Sequence, residues 1–183
     1  MTHRADPAAQ RGIWTLRRKG FVRYTLVYRR CPVAIPAFDD TGQLPPDTHI
    51  ASWDEVAARY GGDERRRALL AGLERLLALL ASVGCRRVWL NGSFVTSKVA
   101  PGDFDLAWDL VGVDLDALRR RDPALDPLVP GRTAQLRRYG GECFAVSEPV
   151  TSGVVATFRH DRLGREKGIV LIELAPTGRA AGV

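Results

Sequence analysis

The chain has 183 residues, of which 45% are hydrophobic, so it is long enough and apolar enough for one domain with a real core. No apolar run reaches the roughly 18–20 residues that span a bilayer, and the charged N-terminus lacks a signal-peptide pattern. Three cysteines, an odd number, argue against a disulfide framework or a cysteine-rich zinc site. These features predict a cytoplasmic protein that does not act in a membrane.

The formal net charge of +6 is unevenly distributed. Residues 1–32 contain eight basic groups and one acidic group, a net charge of +7, whereas residues 33–183 contain 19 basic and 20 acidic groups, a net charge of −1. The basic segment has no clear amphipathic period, so we interpret it as an extension that is disordered or a start-site artefact, and dispensable for folding. GTG encodes valine and also serves as a start codon in bacteria, so Val33 is a candidate for the true first residue of the protein. The alternative is a basic arm that binds RNA phosphates. Residues 33–183 are predicted to form the single domain.

The first half of the domain contains two predicted helices and a strand. Residues 39–48 are predicted as a loop, because they hold turn residues and the pair Pro45-Pro46. Ser52 and Glu55 form a capping box, which predicts a helix to about Tyr60. Leucines at three- and four-residue spacing predict a second helix over 63–83. A strand over 86–90 follows and ends at Asn91-Gly92-Ser93, where a short helix is expected to begin.

The second half alternates strands with shorter helices. The pattern predicts a strand over 103–111, a helical turn over 115–121, a proline-rich loop over 122–130, a helix over 133–139 and a strand over 142–146. Two β-rich stretches, 154–160 and 168–174, flank turn residues and predict a C-terminal β-hairpin. This order of elements predicts an α/β or α+β fold with a mixed β-sheet flanked by helices.

The residues with the clearest chemistry surround the turn after the first predicted strand. Gly92 would let a triphosphate approach the backbone closely, and Ser93 would direct its hydroxyl and the helix N-terminus at an anion. Asp103 and Asp105 stand two apart on a strand, so both carboxylates point to the same side. Two such charges repel unless a cation lies between them, and oxygen ligands suit Mg²⁺ or Mn²⁺ rather than zinc.

An apolar strand, Gly92-Ser93, a nine-residue spacer and Asp103-Phe104-Asp105 resemble the active-site signature of the DNA polymerase beta–like nucleotidyltransferase superfamily. A wider set of segments resembles an uncharacterised family of small prokaryotic proteins that is assigned to this superfamily by its motif, with the resemblance covering residues 33–174. These segments are Val33-Ala34-Ile35-Pro36-Ala37-Phe38, Leu44-Pro45-Pro46, Arg65-Arg66-Arg67, Gly84-Cys85-Arg86-Arg87-Val88, Gly92-Ser93-Phe94-Val95-Thr96, Asp103-Phe104-Asp105 and Lys167-Gly168-Ile169-Val170.

The resemblance implies a nucleotidyltransferase-like fold and a two-metal site with a third carboxylate on a neighbouring strand. Glu142 is the first candidate for that carboxylate, and Glu173 and Glu148 are the alternatives. The implied reaction moves an NMP group from an NTP to a hydroxyl of RNA, protein or a small molecule. By analogy with small members of the superfamily, the resemblance also implies a cognate protein partner in a toxin–antitoxin or defence pair.

Four other features have less certain roles in the sequence. Lys98 is a candidate phosphate ligand, whereas Arg65 to Arg67 are interpreted mainly as a solvated helix face and Lys167-Gly168 as part of the hairpin. Asp109 shares a strand face with the acidic pair, and a solvated or capping role is expected for it.

The alternative to an enzyme is a catalytically weak or inactive module of the same fold that binds a nucleotide or a protein. A base near Asp103 and Asp105, in place of a third carboxylate, would favour that module.

Overall fold

The computed structural model describes residues 35–147 and 153–175, together with the backbone of two short strands, β1 (Gly12–Ile13) and β2 (Val27–Tyr28). These two strands pair antiparallel with each other. The predictions for residues 1–32 otherwise lie outside the described residues, as does Glu148.

Five further strands form one sheet in the order β3-β7-β4-β5-β6. The strands are β3 (Thr48–Ile50), β4 (Arg87–Asn91), β5 (Phe104–Asp109), β6 (Gly141–Val146) and β7 (Ile169–Glu173). The pairs β3–β7 and β5–β6 are parallel, whereas β4 is antiparallel to both β7 and β5. The predicted mixed sheet is therefore confirmed.

The four helices predicted from the sequence begin within a residue of their expected positions, whereas a fifth helix over 153–158 was not predicted. They are α1 (Trp53–Tyr60), α2 (Glu64–Ser82), α3 (Leu115–Arg121), α4 (Arg132–Tyr139) and α5 (Gly153–Phe158), with 3₁₀ turns at Ser93–Val95 and Pro123–Leu125. The capping box before α1 is present: the Ser52 N–H donates to the Glu55 carboxylate at 2.7 Å, and the Glu55 N–H donates to the Ser52 hydroxyl at 3.2 Å. The described residues include no helix that is both long and apolar enough to cross a bilayer.

The two faces of the sheet are covered to very different extents. Alternate strand residues on the first face pack against residues of α1 to α4 in one large core, and the helix α2 contributes most of its leucines to it. The second face has a smaller cluster, in which α5 contributes the helical residues. That cluster consists of Trp89, Ala107, Val146, Val155, Phe158 and Ile169. Among the described residues, α5 is the one helix that packs on the second face.

The predicted C-terminal hairpin is wrong. Its first arm is the helix α5, and its second arm is β7, which pairs with β3 and β4 instead. The segment is rich in Val and Thr, which suggests a strand, but Val155 and Phe158 are three residues apart and both pack on the second face of the sheet. Tertiary burial at helical spacing has overridden β-propensity here. A single bridge between His160 and Glu166 is what remains of the expected pairing.

The end of the predicted loop over 39–48 is also different, because Thr48 already belongs to the edge strand β3. The strand β3 has three residues and pairs only with β7 in the described sheet. Such a short strand has too few residues to show alternating apolar and polar positions, which explains why it was not predicted. The loop before it is anchored in the core by Leu44, which is buried.

Candidate functional site

The candidate site lies on the second face of the sheet, where β4 ends and β5 and β6 begin. Asn91, the last residue of β4, pairs with Asp105 of β5, and Asp105 in turn pairs with Glu142 of β6. Asp103 directly precedes β5. The sheet therefore brings Asp105 beside Glu142, the residue that the resemblance put first as the third carboxylate.

Asp105 is the most perturbed acid of this group. Burial raises its pKa, and the negative charges of Asp103 and Glu142 raise it further, while Lys167 and Arg132 act in the opposite direction. Among the described residues, the Asp105 carboxylate has no hydrogen-bond or ion-pair partner. A half-buried carboxylate beside two others is costly unless a cation or a proton compensates the charge.

Gly92 is required by the geometry of this site. Its φ of 83° and ψ of −172° belong to a region that side-chain-bearing residues rarely adopt. A Cβ atom at this position would lie 2.7 Å from Asp105 Oδ2 and 3.0 Å from the Asp105 backbone nitrogen. The sequence predicted a glycine for close approach of a phosphate; the structure adds that the glycine makes room for the Asp105 carboxylate itself.

Ser93 and Lys98 are placed less favourably than the sequence suggested. The helix expected after Gly92 is a three-residue 3₁₀ turn, which is too short to provide a helix N-terminus for an anion. The Ser93 hydroxyl lies 3.5 Å from the Asp103 carbonyl oxygen, at the limit of a hydrogen bond. Lys98 is exposed, and none of the described contacts of its ammonium group involves the acidic residues.

Two arginines of α2 hold the loop between Ser93 and Asp103. The buried guanidinium of Arg66 donates to the carbonyl oxygens of Phe94 and Thr96, both at 2.8 Å, and of Lys98 at 2.6 Å. Arg65 donates to the carbonyl of Pro101 at 3.1 Å and to that of Gly102. The interpretation of these arginines as a mainly solvated face is wrong for Arg66, which is buried, and holds for Arg65 and Arg67, which are exposed.

Glu142 lies in the predicted place, but its carboxylate is engaged. Oε2 accepts a hydrogen bond from Arg132 Nε at 2.6 Å. This carboxylate raises the pKa of Arg132, and the charges of Asp103 and Asp105 act in the same direction. In the described part of the chain, no three His, Cys, Asp or Glu side chains are grouped closely enough to hold a metal ion. The acidic pair therefore has a basic residue, Arg132, as well as a third carboxylate, Glu142, near it.

Glu173, the alternative third carboxylate, is not brought to the site. It pairs with Arg87 at the far end of β4, four residues from Asn91. At about 3.3 Å per residue, this separates the two positions by about 13 Å.

Lys167 is a site residue that the sequence analysis missed. Its side chain is buried, and its ammonium group donates to the Oδ1 atom of Asn91. Burial lowers the pKa of Lys167, and the negative charge of Asp105 opposes this shift. A lone lysine 62 positions after Asp105 gives no local signal, so only the pairing of β7 with β4 reveals that it belongs here.

Comparison with known proteins gives a family but no activity. Residues 36–173 match the model of a Family of unknown function (DUF6932). The chain belongs to this family. No match was found among curated proteins or among solved structures. The resemblance of this DUF6932 member to nucleotidyltransferases stays a prediction, and the case for it depends on the site itself.

The donor atoms at this site of the DUF6932 protein suit a hard divalent cation. Asp103 and Asp105 offer carboxylate oxygens, and burial, with the charges of Asp103 and Glu142, raises the pKa of Asp105. Mg²⁺ is usually bound by one or two carboxylates, with water and phosphate oxygens as the other ligands. The residues present therefore fit Mg²⁺ or Mn²⁺ bound together with a nucleotide.

Proposed function

We propose that the protein transfers an NMP group from an NTP to a hydroxyl acceptor. The observation that supports this best is that Asp105, with Asp103 just before its strand, pairs with Glu142, and that a side chain at Gly92 would contact the Asp105 carboxylate. Burial raises the pKa of Asp105 most, and the two nearby acids raise it further, a combination that is typical of groups that bind a cation or act in chemistry.

Asp103 and Asp105 would hold Mg²⁺ or Mn²⁺. When bound, such a cation polarises the phosphoryl oxygens and lowers the pKa of an acceptor hydroxyl. The two carboxylates keep their positions without it, because β5 is paired on both sides and Phe104 between them is fully buried.

The triphosphate is assigned to the side of β4 and β7. Gly92 has no side chain to obstruct the end of β4, and the ammonium group of Lys167, which donates to Asn91 Oδ1, supplies a positive charge there. Lys98 is retained as a candidate for the outer phosphates, because its exposed position leaves it free to reach them.

The acceptor is assigned to the side of β6. Its hydroxyl oxygen forms a bond to the α-phosphorus, the bond between the α-phosphorus and the bridging oxygen breaks, and pyrophosphate leaves. The hydroxyl proton passes to the Glu142 carboxylate, the acid on that side of the pair. The side chain of Arg132 is 66% exposed. During the reaction it would leave its ion pair with Glu142 and pair instead with the negative charge that develops on the phosphate.

A second candidate function is a nucleotide-binding module without full activity. The Arg132–Glu142 ion pair favours it, since a base beside the acidic pair can neutralise the third carboxylate permanently. In either case a cognate protein partner, as in toxin–antitoxin pairs, is a further proposal that depends on the superfamily analogy.

Metal affinity tests the shared part of both candidates. Calorimetry with Mn²⁺ should show binding to the wild type and at least about a tenfold loss in Asp103→Asn and in Asp105→Asn. Asp116→Asn, which changes an exposed aspartate on α3, is the control and should bind as the wild type does. Equal affinity in all four proteins would exclude the proposed site.

Transfer separates the enzyme from the module. The protein is incubated with each NTP labelled at the α-phosphate, Mg²⁺ or Mn²⁺, and a cell lysate. An enzyme should label an acceptor in the wild type and not in Asp105→Asn. If nucleotide binds but nothing becomes labelled, and Arg132→Gln leaves this result unchanged, the module is the correct function.

A further inference from the structure

Lys167 is a buried cation without a counterion. The residue is 7% exposed, and its ammonium group has one hydrogen-bond partner among the described residues, the Oδ1 atom of Asn91. An amide oxygen accepts a hydrogen bond but has no net charge, so it leaves the charge of the ammonium group uncompensated. A buried charge of this kind is costly, and burial accordingly lowers the pKa of Lys167.

Two acids act on this charge from a distance, but neither pairs with it. The charges of Asp105 and Asp161 oppose the fall in the pKa of Lys167. The Asp161 carboxylate accepts from the backbone N–H groups of Leu163 and Arg165 and from the Arg165 side chain instead. Asp105 is on β5, and β4 lies between β5 and β7, which places these outer strands about 10 Å apart. The sheet therefore holds the two opposite charges apart.

Asn91 adds a second donor next to the ammonium group. The residue is 6% exposed, and its amide nitrogen donates to no described residue. Among the described side chains, the fully enclosed polar atoms without a hydrogen-bond partner are the Tyr60 hydroxyl and Trp108 Nε1. The Asn91 amide nitrogen is not one of them, so it keeps access to solvent. A molecule that reaches this nitrogen is also next to the ammonium group, because the Oδ1 atom of the same amide holds that group.

Backbone hydrogen bonds anchor the segment that contains the cation. The Lys167 N–H donates to the Arg159 carbonyl at 2.8 Å. The Gly168 N–H donates to the Leu44 carbonyl, also at 2.8 Å. A Cβ atom on Gly168 would lie 2.3 Å from the Pro45 carbonyl oxygen, so the glycine lets the chain before β3 pack closely here. The lysine is thus fixed both by its backbone and by the hydrogen bond of its ammonium group.

The position of the cation relates it to the turn at Gly92. Val170 of β7 pairs with Leu90 of β4, and the two strands are antiparallel. Lys167 comes three residues before Val170 and therefore lies beyond the end of β4, where the turn begins. Its side chain reaches Asn91, the residue just before Gly92. The two donors are therefore beside the turn to which the triphosphate is assigned.

The chemistry of the two side chains favours a compact anion with several oxygens. An ammonium group and an amide N–H group both donate, and charge-assisted hydrogen bonds to anionic oxygens are the stronger kind. Both residues are more than nine-tenths buried, so a small or terminal group can reach them. A phosphate within an RNA strand has a ribose on each side and fits such a recessed position less well.

Within the proposed function, we propose that Lys167 and Asn91 form an anion site that binds the pyrophosphate part of the nucleotide without the help of a metal ion. The cation site at Asp103 and Asp105 and this anion site are two separable subsites, one on each side of β4. The anion site prefers a pyrophosphate group to a single phosphate ester, because pyrophosphate offers more negative charge and more acceptor oxygens.

Calorimetry of the full chain in EDTA, with inorganic pyrophosphate as the probe, tests this site. The wild type should bind pyrophosphate, and Lys167→Met and Asn91→Asp should each weaken binding by at least about tenfold. Methionine removes the charge at similar length, whereas aspartate keeps the size and the hydrogen bond of Asn91 and gives Lys167 a counterion. Arg120→Met, at an exposed base on α3, is the control and should change the affinity by less than about twofold. Circular dichroism shows which variants are folded.

Several results would overturn the anion site. These are equal pyrophosphate affinity in the wild type and in a folded Lys167→Met or Asn91→Asp variant, and pyrophosphate binding that requires Mn²⁺. AMP and a short oligouridylate without a terminal phosphate should bind at least about tenfold more weakly than pyrophosphate. If either of them binds as tightly, the assignment to a pyrophosphate group is wrong.

Mn²⁺ separates this proposal from the proposed function. The affinity for Mn²⁺ alone should not fall in Lys167→Met or Asn91→Asp, and a fall in both would show that these residues support the cation site instead. If pyrophosphate binds in EDTA but the wild type does not bind Mn²⁺, nucleotidyl transfer fails and the anion site stands. If Mn²⁺-ATP labels an acceptor but pyrophosphate does not bind in EDTA, the anion site fails and the transfer stands.

Discussion

Asp105 and Asp109 are on the same face of β5, four residues apart, and their carboxylates have opposite surroundings. Asp109 is 2% exposed and fully paired: Oδ2 accepts from Arg87 at 3.0 and 2.6 Å, and Oδ1 accepts from the Val111 N–H at 3.0 Å. Asp105 has other acids as neighbours and, within the described residues, no partner. The sequence predicts a solvated or capping role for Asp109; the residue does cap the turn, but it is buried rather than solvated.

The difference comes from the neighbouring strand β4. At the Asp109 end, β4 presents Arg87, which neutralises the carboxylate; at the Asp105 end, it presents Asn91 and then Gly92, which has no side chain. One strand thus contains an acid that stabilises the fold and an acid left available for a cation. The two aspartates are the same residue type, so what distinguishes them is the residue of β4 that faces each one.

The largest expected effect follows from giving Gly92 a side chain. Gly92→Ala should lower the free energy of unfolding by about 3 kcal/mol, because the backbone conformation is rarely compatible with a side chain and the new Cβ would contact Asp105. Denaturant unfolding measures this. Gly102→Ala, where an added Cβ meets nothing within 4 Å, should cost much less. Equal losses would show that Gly92 does not shape the Asp105 end.

The next effect concerns the structural acid. Asp109→Asn should lower stability by about 2 kcal/mol, or roughly 4–8 °C in Tm, because it removes a charge-assisted hydrogen bond at a buried position. Arg87 is 42% exposed and can regain water, which limits the loss. Asp116→Asn breaks an exposed ion pair and should change stability by less than about 0.5 kcal/mol. Mn²⁺ affinity should remain unchanged in Asp109→Asn, and a loss there would remove the distinction between the two acids.

The smallest effect has the opposite sign. The pKa of Asp105 is raised in the folded protein, so ionisation of this group opposes folding, and stability falls as pH rises from the ordinary Asp pKa of about 3.9 through the raised value. Asp105→Asn should therefore raise Tm by a few degrees at neutral pH. The gain should vanish below about pH 4, where the wild-type group is protonated in both states. Thermal melts at several pH values without metal test this, and a lower Tm at neutral pH would contradict it.

Much of the fold could be predicted from the sequence, because local signals decide it. Ser52 and Glu55 specify the start of α1, and the leucine period specifies α2. The pairing of Asp105 with Glu142 agrees with the strand order that the resemblance implied, which put Glu142 before Glu173 and Glu148 as the third carboxylate. Gly92 was recognised from its position after a buried strand, although the structure gives it a further reason.

The rest depends on contacts between distant segments. Lys167 and Arg132 are beside Asp105 only because β7 and α4 are placed there by the sheet, and no spacing in the sequence shows it. The burial of Arg66 depends on the path of the loop from Phe94 to Lys98. The short helix α5 was misread because Val154, Val155 and Thr157 favour strands, while its two buried positions are too few to reveal a helical period.

The arginine contacts from α2 have a consequence for how a ligand is received. Three loop carbonyls share the guanidinium of Arg66, which is itself buried against the ring of Phe94. If this loop opened, it would leave a buried cation without its acceptors, so its order is coupled to the helix that forms the core. The loop next to Gly92 is therefore preorganised rather than a lid that closes on demand. A ligand that binds beside this loop removes little further conformational entropy from it, because folding has already ordered the loop.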